Sequence, residues 1–213
     1  MPMSPAEPAA SPGEPGHEGI ASGSTEPAAG WRPREPPLIV VDPAFVLDRW
    51  RPGDGAALRR MDLDPDTAQF FGYTVEQARA VPDSHYDGDD RARGSLRAWH
   101  EGTELNLAIR RRSDGEAAGW VELRLGGSLG GHEAEVSYNV TAELRGQGIA
   151  SRALQAFLTW AAQQIGLRRA HLACHTGNLA SRRVAEKCGF VLLGQQGSEH
   201  QFRLDLDPPE RPI

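Results

Sequence analysis

The amino-acid sequence predicts an α/β fold, with a mixed and strongly twisted central sheet that carries helices on both faces. Two observations lead to this prediction. The pattern of apolar residues gives the element order strand, helices, three-strand meander, helix, strand, helix and two strands. The helix in the second half is the clearest element, because apolar residues recur at spacings of three and four from Ala150 to Ile165. The 213 residues suit one domain with a sizeable core.

Composition sets both ends of the chain apart from this domain. Residues 1–35 consist mostly of Pro, Ala, Gly, Ser and Glu, and such a segment buries too little apolar surface to offset the entropy of ordering it. We therefore expect a disordered tail over residues 1–35, a folded domain over residues 36–207 and a frayed end over residues 208–213. The tail lacks the basic and apolar regions of a secretory signal. No run of eighteen apolar residues predicts a membrane span.

In the first half of the domain, short apolar runs alternate with turn residues. Asp54 is predicted to cap a helix over residues 56–61. Leu96 and Trp99 are expected to face inward from a helix over residues 89–100, behind a polar loop that begins at Asp83. The aromatic residues at positions 70–73 fit either the core or the wall of a pocket. Strands are predicted over residues 38–41, 45–50, 105–109, 118–125 and 133–140, with turns over residues 51–55, 64–67, 113–116 and 126–131.

The second half begins with the long helix and ends with a second, shorter helix and a hairpin. Asn178 is a good N-cap for the short helix, and Gly189 is a good residue to end it. Phe190 is placed for the hydrophobic contact that accompanies such an ending. Strands are predicted over residues 169–174, 190–194 and 201–206, the last two as the closing hairpin.

The turn between strand 133–140 and the long helix carries the chemical information. Residues 145–150 read Arg-Gly-Gln-Gly-Ile-Ala. Glycines let the backbone approach a ligand closely, and the amides at a helix N-terminus form an anion site that suits a pyrophosphate. A P-loop needs Lys after its glycines, and a dinucleotide fingerprint needs a third Gly where Ser151 stands. The pattern that remains, Arg-x-x-Gly-x-Ala, resembles the acetyl-coenzyme A (acetyl-CoA) loop of the GNAT acetyltransferases.

A second motif supports the same resemblance. Residues 178–190 begin with Asn, continue with Ser181 and end in Gly-Phe, which is similar to the second signature of the GNAT superfamily. The Arg-Trp-Arg-Pro-Gly-Asp sequence of residues 49–54 resembles the branch that contains the ribosomal-protein alanine N-acetyltransferases. The resemblance spans residues 38–206. It implies a GNAT fold, acetyl-CoA as cosubstrate, and direct transfer of the acetyl group to a primary amine.

The resemblance also implies which residues bind the cosubstrate. Backbone amides of residues 145–151 would hold the pyrophosphate. The pantetheine arm would bond the end of the strand at Asn139, and it would also bond Asn178. An amide near Val140 would polarise the thioester carbonyl. Arg145 either adds charge near the phosphates or forms a surface salt bridge. The predicted cofactor-binding residues are Asn139, Val140, Arg145, Gly146, Gln147, Gly148, Ile149, Ala150, Ser151 and Asn178.

Transfer to an amine also needs a group that removes a proton from the amine. Glu135 is the first candidate, because it matches the Glu of a Glu-x-x-Tyr pattern in the ribosomal-protein branch. A carboxylate on a central strand is costly to bury without a purpose, although hydrogen bonding to neighbouring loops is another interpretation. Glu122 is the second candidate, or it simply faces water.

The departing thiolate needs a proton, and at this point the chain departs from many GNAT enzymes. They carry Tyr seven residues after the helix Asn, where this chain has Ala185. Ser181 matches the Ser proposed as general acid in the ribosomal-protein branch, and it would equally bond the helix N-terminus. Tyr138 is an alternative proton donor, but its alternation along the strand aims it elsewhere. The catalytic residues predicted are therefore Glu135 and Ser181.

Other partners find little support in the sequence. His171 and His175 lie four apart without the further ligands that a metal needs, so no metal is expected. The net charge of −6 gives no reason to expect direct nucleic-acid binding, and no membrane partner is expected. Cys174 and Cys188 are predicted to be buried free thiols, which fits a cytoplasmic protein. A monomer or a homodimer is expected.

The sequence is compatible with two functions. The first is an acetyl-CoA-dependent N-acetyltransferase, whose acceptor is either a protein N-terminus or a small-molecule amine. The second is a non-catalytic acyl-CoA-binding sensor with a GNAT fold, which the Ala at position 185 motivates. Release of coenzyme A with any amine would reject the sensor.

Overall fold

The computed structural model describes residues 35–82, 86, 89–126 and 132–206. The predicted tail over residues 1–35 lies outside the described residues except for its last position. The predicted end over residues 208–213, and the turn over residues 126–131 beyond its first residue, lie outside them as well.

An eight-stranded sheet in the order β1-β2-β3-β4-β5-β6-β8-β7 forms the centre of the described domain. Neighbouring strands are antiparallel except for β5 and β6, which are parallel. This is the mixed sheet that the sequence predicts. The strands are β1 Ile39–Val40, β2 Phe45–Asp48, β3 Glu104–Arg111, β4 Ala117–Leu125, β5 Glu133–Val140, β6 Arg169–His175, β7 Val191–Gln196 and β8 Glu199–Asp205.

Short-range side-chain contacts set the start of several helices. Asp64 accepts the N–H of Thr67 at 2.9 Å, and Pro65 occupies the first position of its helix. Thr74 and Gln77 form a capping box. The described helices are α1 Gly55–Asp62, α2 Pro65–Phe71, α3 Val75–Ala80, α4 Asp89–Glu101, α5 Ile149–Gln164 and α6 Leu179–Lys187.

Two local predictions in the first half are wrong. The turn predicted over residues 64–67 is the beginning of helix α2. Asp54 does stand at the N-cap position of α1, but its side chain makes no capping hydrogen bond. Its carboxylate instead accepts two bonds from the guanidinium of Arg110, at 2.9 and 2.8 Å. Arg110 is buried, and a buried charge requires a partner more strongly than an exposed helix end does.

Helices cover both faces of the sheet, as predicted. On one face, Phe157 of α5 and Trp99 of α4 pack against the inward side chains of the central strands. On the other face, Trp50 and Met61 belong to a second buried cluster around α1. Strand β3 is consequently buried on both sides over residues 105–110. In the described part of the chain, no helix combines the length and the apolar character that a membrane crossing requires.

Candidate active site

The cleft lies where β5 and β6 separate. These parallel strands pair only over residues 133–135 and 169–171. Beyond Glu135, β5 stays paired with β4 as far as Val140, whereas β6 stays paired with β8. Over residues 136–140, the edge of β5 that faces β6 therefore lacks a partner among the described strands. A cavity of about 700 Å³ opens there, which is a usual size for a ligand pocket.

The glycine turn forms one end of this cleft. Gly146 (φ 76°) and Gly148 (φ 72°) both adopt left-handed backbone conformations that other residues rarely adopt. Gly148 is the N-cap residue of α5. The first amides of a helix lack an intrahelical acceptor, and the helix dipole adds positive charge there. The turn is thus an anion site beside the cavity, whose wall includes Arg145, Gly146, Gly148, Ile149, Ala150 and Ser151.

Two side chains of the turn make contacts within the protein. Gln147 is absent from the cavity wall, and its amide donates to a backbone carbonyl of the same turn at 3.1 Å. The Arg145 guanidinium donates to Thr67 Oγ1 at 3.0 Å, to Asp66 at 3.1 Å and to Asp64. The salt-bridge interpretation of Arg145 therefore describes this structure, and the arginine ties the turn to the N-terminus of α2.

Asn139 and Val140 lie at the open end of β5. Thr141 N–H bonds Ala118 O in β4 at 3.0 Å, so the preceding N–H, that of Val140, points the other way, into the cleft. Asn139 Oδ1 accepts this N–H at 2.8 Å, while Asn139 Nδ2 donates to Thr67 Oγ1 at 3.3 Å. The Val140 amide thus faces the cleft, and the side chain of the preceding residue occupies it, a contact that the sequence did not predict.

Helix α6 brings the predicted proton donor to the cavity. Asn178 caps the helix by accepting the N–H of Ser181 at 2.9 Å, as predicted. The Ser181 hydroxyl lies 2.7 Å from the hydroxyl of Tyr138. The alternation argument against Tyr138 is therefore wrong. Alternation directs this ring to the sheet face on which α6 packs, and the gap between β5 and β6 lets its hydroxyl reach the helix.

Burial controls the acidity of the groups around Ser181. It raises the pKa of Tyr138 well above the ordinary value, even though the hydrogen bond to Ser181 acts in the opposite direction. Burial likewise raises the pKa of the Cys174 thiol, which also bonds Ser181. At neutral pH both groups consequently keep their protons, and both stand next to one serine hydroxyl.

Glu135 and Glu122 differ in their relation to the cavity. Glu135 lies in the cavity wall, with Arg124 Nη1 3.8 Å from its carboxylate. Glu122 is only 5% exposed. It accepts hydrogen bonds from Asn106 at 2.6 Å, from Arg124 at 2.8 Å and from Ser137 at 3.2 Å. The expectation that Glu122 faces water is wrong, because this face of the sheet is covered.

Five charged residues of the cavity wall were not among the predicted site residues, namely Asp66, Arg124, Arg183, Lys187 and Glu199. Arg183 and Lys187 stand four residues apart on α6, a spacing that places both on one helix face. That spacing could have been read from the sequence as a positively charged helix face. Glu199 is the first residue of β8, directly after the turn that joins it to β7. Its place in the cavity depends on the register of that hairpin, which the two-residue Gly197-Ser198 loop sets. This loop was a local signal in the sequence.

The histidines considered as metal ligands have other partners. His171 Nε2 lies 2.8 Å from Glu133 Oε2. His175 Nδ1 accepts the N–H of Gly177 at 3.0 Å, and the His175 ring lies 6.3 Å from that of Phe70. Within the described ranges, no group of three His, Cys, Asp or Glu side chains is arranged to hold a metal ion.

The cleft combines three chemical elements along β5. A turn with amide donors suited to an anion stands at its end, and along its edge residues 136–140 of β5 have no partner among the described strands. Side-chain alternation places Glu135 and Ser137 on one face of the strand and Tyr138 on the other. A carboxylate and a phenol thus lie on opposite faces of the strand that borders the cleft.

Known proteins are similar to this chain in sequence. The acetyltransferase (GNAT) domain family matches residues 45–191. A ribosomal-protein-serine acetyltransferase of Escherichia coli (strain K12) is 43% identical over 61 residues, which cover 29% of this chain and 34% of that protein. The alignments with curated relatives span 34% and 44% of the relatives' own length.

Solved structures have the same fold. RimL, the ribosomal L7/L12 alpha-N-protein acetyltransferase in complex with coenzyme A, superposes with a TM-score of 0.67 at 20% identity, covering 80% of this chain and 99% of that one. MccE, the microcin C7 self-immunity acetyltransferase in complex with acetyl-CoA and AMP, superposes with a TM-score of 0.61 at 16% identity, covering 78% and 94%. At these identities the likeness establishes the fold.

Proposed function

This chain belongs to the GNAT family of acetyltransferases, and we propose that it transfers the acetyl group of acetyl-CoA to a primary amine by direct attack. The separation of β5 from β6, with an anion site at its end, is the observation that carries the proposal. Acetyl-CoA supplies an acetyl group activated as a thioester. The residues around the cleft bind the donor, orient the acceptor and move two protons.

The cleft fits acetyl-CoA in three respects. The amides of residues 146–151 suit the pyrophosphate. The unpaired edge of β5 over residues 136–140 suits the amide groups of the pantetheine arm, which would bond it as an added strand does. Arg183 and Lys187 in the cavity wall supply positive charge for the remaining phosphate. Asn178 uses its carbonyl to cap α6, which leaves its amide group to donate to the arm.

The Val140 amide is assigned to the thioester carbonyl. It points into the cleft, where a donor aimed at developing negative charge lowers the barrier to acyl transfer. In this structure Asn139 Oδ1 holds that N–H. The carbonyl of the donor would take the place of the Asn139 side chain, so Asn139 keeps the amide oriented until the donor binds.

On the amine side, Glu135 attracts the acceptor's ammonium group and assists the removal of its proton. Its carboxylate lies in the cavity wall on the face opposite to Tyr138. Glu199 adds a further negative charge to the same cavity. The carboxylates of the cavity wall, Asp66, Glu135 and Glu199, attract a cationic acceptor, whereas Arg183 and Lys187 are assigned to the donor's phosphate.

On the thiol side, Ser181 and Tyr138 return a proton to the leaving sulfur. Ser181 gives its hydroxyl proton and receives one from Tyr138, whose hydroxyl is 2.7 Å away. The pair supplies from strand β5 the phenol that many GNAT enzymes carry on the helix, at the position of Ala185 in this chain. Tyr138 thus makes up for the missing tyrosine at position 185, whose absence motivates the non-catalytic sensor.

The acceptor is proposed to be the α-amino group of a protein N-terminus. The matched Escherichia coli protein is a ribosomal-protein-serine acetyltransferase, and an N-terminal ammonium suits the carboxylates of the cavity wall. Both free cysteines are buried thiols, and we place the protein in the reducing cytoplasm accordingly.

Free-thiol release from acetyl-CoA tests the function across peptides, polyamines and aminoglycosides. We expect turnover with a peptide that begins with serine or alanine. Turnover confined to a small amine would replace the proposed acceptor. Tight binding of acetyl-CoA without turnover on any acceptor would reject the transferase in favour of the sensor.

A further inference from the structure

A buried polar row leads from the cavity into the sheet. Ser137, Glu122 and Asn106 lie opposite one another on β5, β4 and β3. Ser137 belongs to the cavity wall, whereas Glu122 and Asn106 are 5% and 1% exposed. Ser137 Oγ donates to Glu122 Oε1 at 3.2 Å, and Asn106 Nδ2 donates to Glu122 Oε2 at 2.6 Å. A continuous hydrogen-bonded connection therefore joins the cavity to a buried carboxylate.

The row continues to a second carboxylate. Asn106 Nδ2 also lies 3.4 Å from Glu104 Oε1. Asn106 Oδ1 accepts the indole N–H of Trp50 at 2.7 Å, and this bond fixes which end of the amide faces the carboxylates. Asn106 thus holds Glu104 and Glu122 beside each other on the covered face of the sheet.

Two arginines face these carboxylates. Arg124 Nη2 donates to Glu122 Oε1 at 2.8 Å. Burial and then the charge of Glu122 raise the pKa of Glu104 to about 7, while the positive charges of Arg91 and Arg124 act to lower it. A carboxyl group that titrates near neutrality both takes up and gives up a proton at pH 7, as proton transfer to and from a reacting group requires.

We propose that Ser137, Glu122 and Glu104 form a relay that carries the proton of the acceptor amine out of the cavity. The proposal rests on the transferase function proposed above and adds the destination of the proton to it. Glu135 keeps the role of attracting the ammonium group. Ser137 is the residue that meets the amine, and the two buried carboxylates act through it.

One proton moves in the relay. An N–H bond of the ammonium breaks and its proton passes to Ser137 Oγ, while the original hydroxyl proton of Ser137 passes to Glu122 Oε1. The nitrogen keeps the electron pair with which it attacks. Glu122 passes a proton to Glu104 through the hydrogen bond between their side chains, and Glu104, which is only half-buried, returns it to solvent.

The test compares wild type with Ser137→Ala and Glu122→Gln between about pH 6 and pH 9, following thiol release with a serine-initiated peptide. Near pH 7, where Glu104 still accepts a proton and the amine is still an ammonium, we expect kcat/KM to fall on the order of 100-fold in either variant, a usual size for the loss of acid–base assistance. The loss should be smaller at pH 6, because protonated Glu104 blocks the relay in wild type as well. The difference in kcat/KM between wild type and variant should shrink as the pH rises past the α-amino pKa of about 8, because the amine is then already neutral. Acetyl-CoA affinity, measured by calorimetry, should stay unchanged. Glu101→Gln, at the exposed end of α4, is the control and should behave as wild type.

The pH dependence separates a relay from a structural role. A ratio of wild-type to variant kcat/KM that is the same at every pH would overturn the relay. Glu104→Gln serves if Glu122→Gln does not fold, and it is expected to flatten the acid limb of the profile. An unaltered acid limb in that variant would also overturn the relay. Wild-type protein that binds acetyl-CoA and releases no thiol with any acceptor would instead overturn the transferase function.

Discussion

The hydroxyl groups of Tyr138 and Ser181 lie 2.7 Å apart and join strand β5 to helix α6 across the mouth of the cleft. This contact reconciles the chain with its family. The helix lacks a tyrosine where many GNAT enzymes have one, and the buried Ala185 stands there instead. A phenol from the neighbouring strand reaches the hydroxyl of Ser181, and in the proposed mechanism it takes the role of the helix tyrosine.

Replacing Tyr138 with Phe removes this hydroxyl and keeps the ring. We expect kcat to fall roughly 10- to 100-fold with little change in acetyl-CoA affinity, because the leaving thiolate loses its proton source. Ser181→Ala should act similarly, and the double variant should be no slower than the slower single one, since residues that act as a unit are non-additive. Steady-state kinetics measure all three. Tyr73→Phe, whose hydroxyl bonds Asp62 O outside the cavity wall, is the control. If the loss of kcat in the double variant equals the product of the two single losses, Tyr138 and Ser181 do not act as one unit.

Glu135→Gln removes the carboxylate assigned to the acceptor's ammonium. We expect kcat/KM for the acceptor to fall about 10- to 100-fold near pH 7, with a higher KM for the amine, because the neutral amide attracts a cation less strongly. Initial-rate kinetics at varied acceptor concentration give both constants. Glu133→Gln lies two residues earlier on the same side of β5 and is bonded to Arg169 outside the cavity wall, so it should leave both constants near wild type. Equal losses in the two variants would contradict the assignment.

Gly148→Val tests the glycine turn. A branched side chain is strained at φ 72°, at a cost of roughly 1–2 kcal/mol, and it fills space beside the helix N-terminus. We expect acetyl-CoA binding to disappear while the circular dichroism spectrum remains that of a folded protein. Gly166→Val carries a similar strain, at φ 70°, beyond the other end of α5, and should bind normally. Titration calorimetry measures the affinity for acetyl-CoA in both variants. A wild-type affinity in Gly148→Val would show that the turn is not the phosphate site.

Asp64 links helix α2 to the glycine turn and should do so in a pH-dependent way. Burial alone would raise its pKa, but hydrogen bonds from Arg145 and Thr67 outweigh this effect and lower the pKa below 3.8. Because the folded-state pKa is the lower one, the contact stabilises the fold above about pH 4, and this contribution is lost as the pH falls through the folded-state value. Asp64→Asn should lower the free energy of unfolding by about 1 kcal/mol at pH 7 and by less at pH 3. Urea denaturation at both pH values measures the difference. A constant difference would contradict this account.

Glu104 should have the opposite dependence. Its pKa in the fold is raised to about 7 by burial and by the charge of Glu122. The fold therefore gains stability from the protonated form below the unfolded value of about 4.5, and it loses this contribution as the pH rises through about 7. Glu104→Gln keeps the neutral shape at every pH. Urea denaturation should show it to be more stable than wild type at pH 8, on the order of 1–3 kcal/mol, and similar at pH 5. Stabilisation of the same size at both pH values would rule out the raised pKa as its cause.

The predictable part of the structure is local. Helix α5 follows from the recurrence of apolar residues, and Asn178 caps α6 because its side chain reaches an amide three residues away. Even local signals overlap, however. Asp64 and Pro65 suit both a turn and the first residues of a helix, and the sequence does not separate these outcomes.

The part that could not be predicted depends on residues far apart in the chain. Asp54 turns from the helix end to Arg110, 56 residues away. Tyr138 meets Ser181 at a separation of 43 residues, and Glu122 is covered by helices that pack on its face of the sheet. Alternation along a strand gives the face on which a side chain lies, whereas the element that packs there is decided by the fold as a whole.

The separation of β5 and β6 also bears on how the protein holds together. Strands β6 to β8 join the rest of the sheet through three pairs of residues in the described structure. A donor bound along the free edge of β5 would lie between β5 and β6. Its binding would therefore strengthen the contact between strands β1 to β5 and strands β6 to β8. A ligand at about 100 times its Kd stabilises the native state by about 2.7 kcal/mol. The resistance of this protein to heat and proteolysis should therefore rise and fall with the supply of acetyl-CoA.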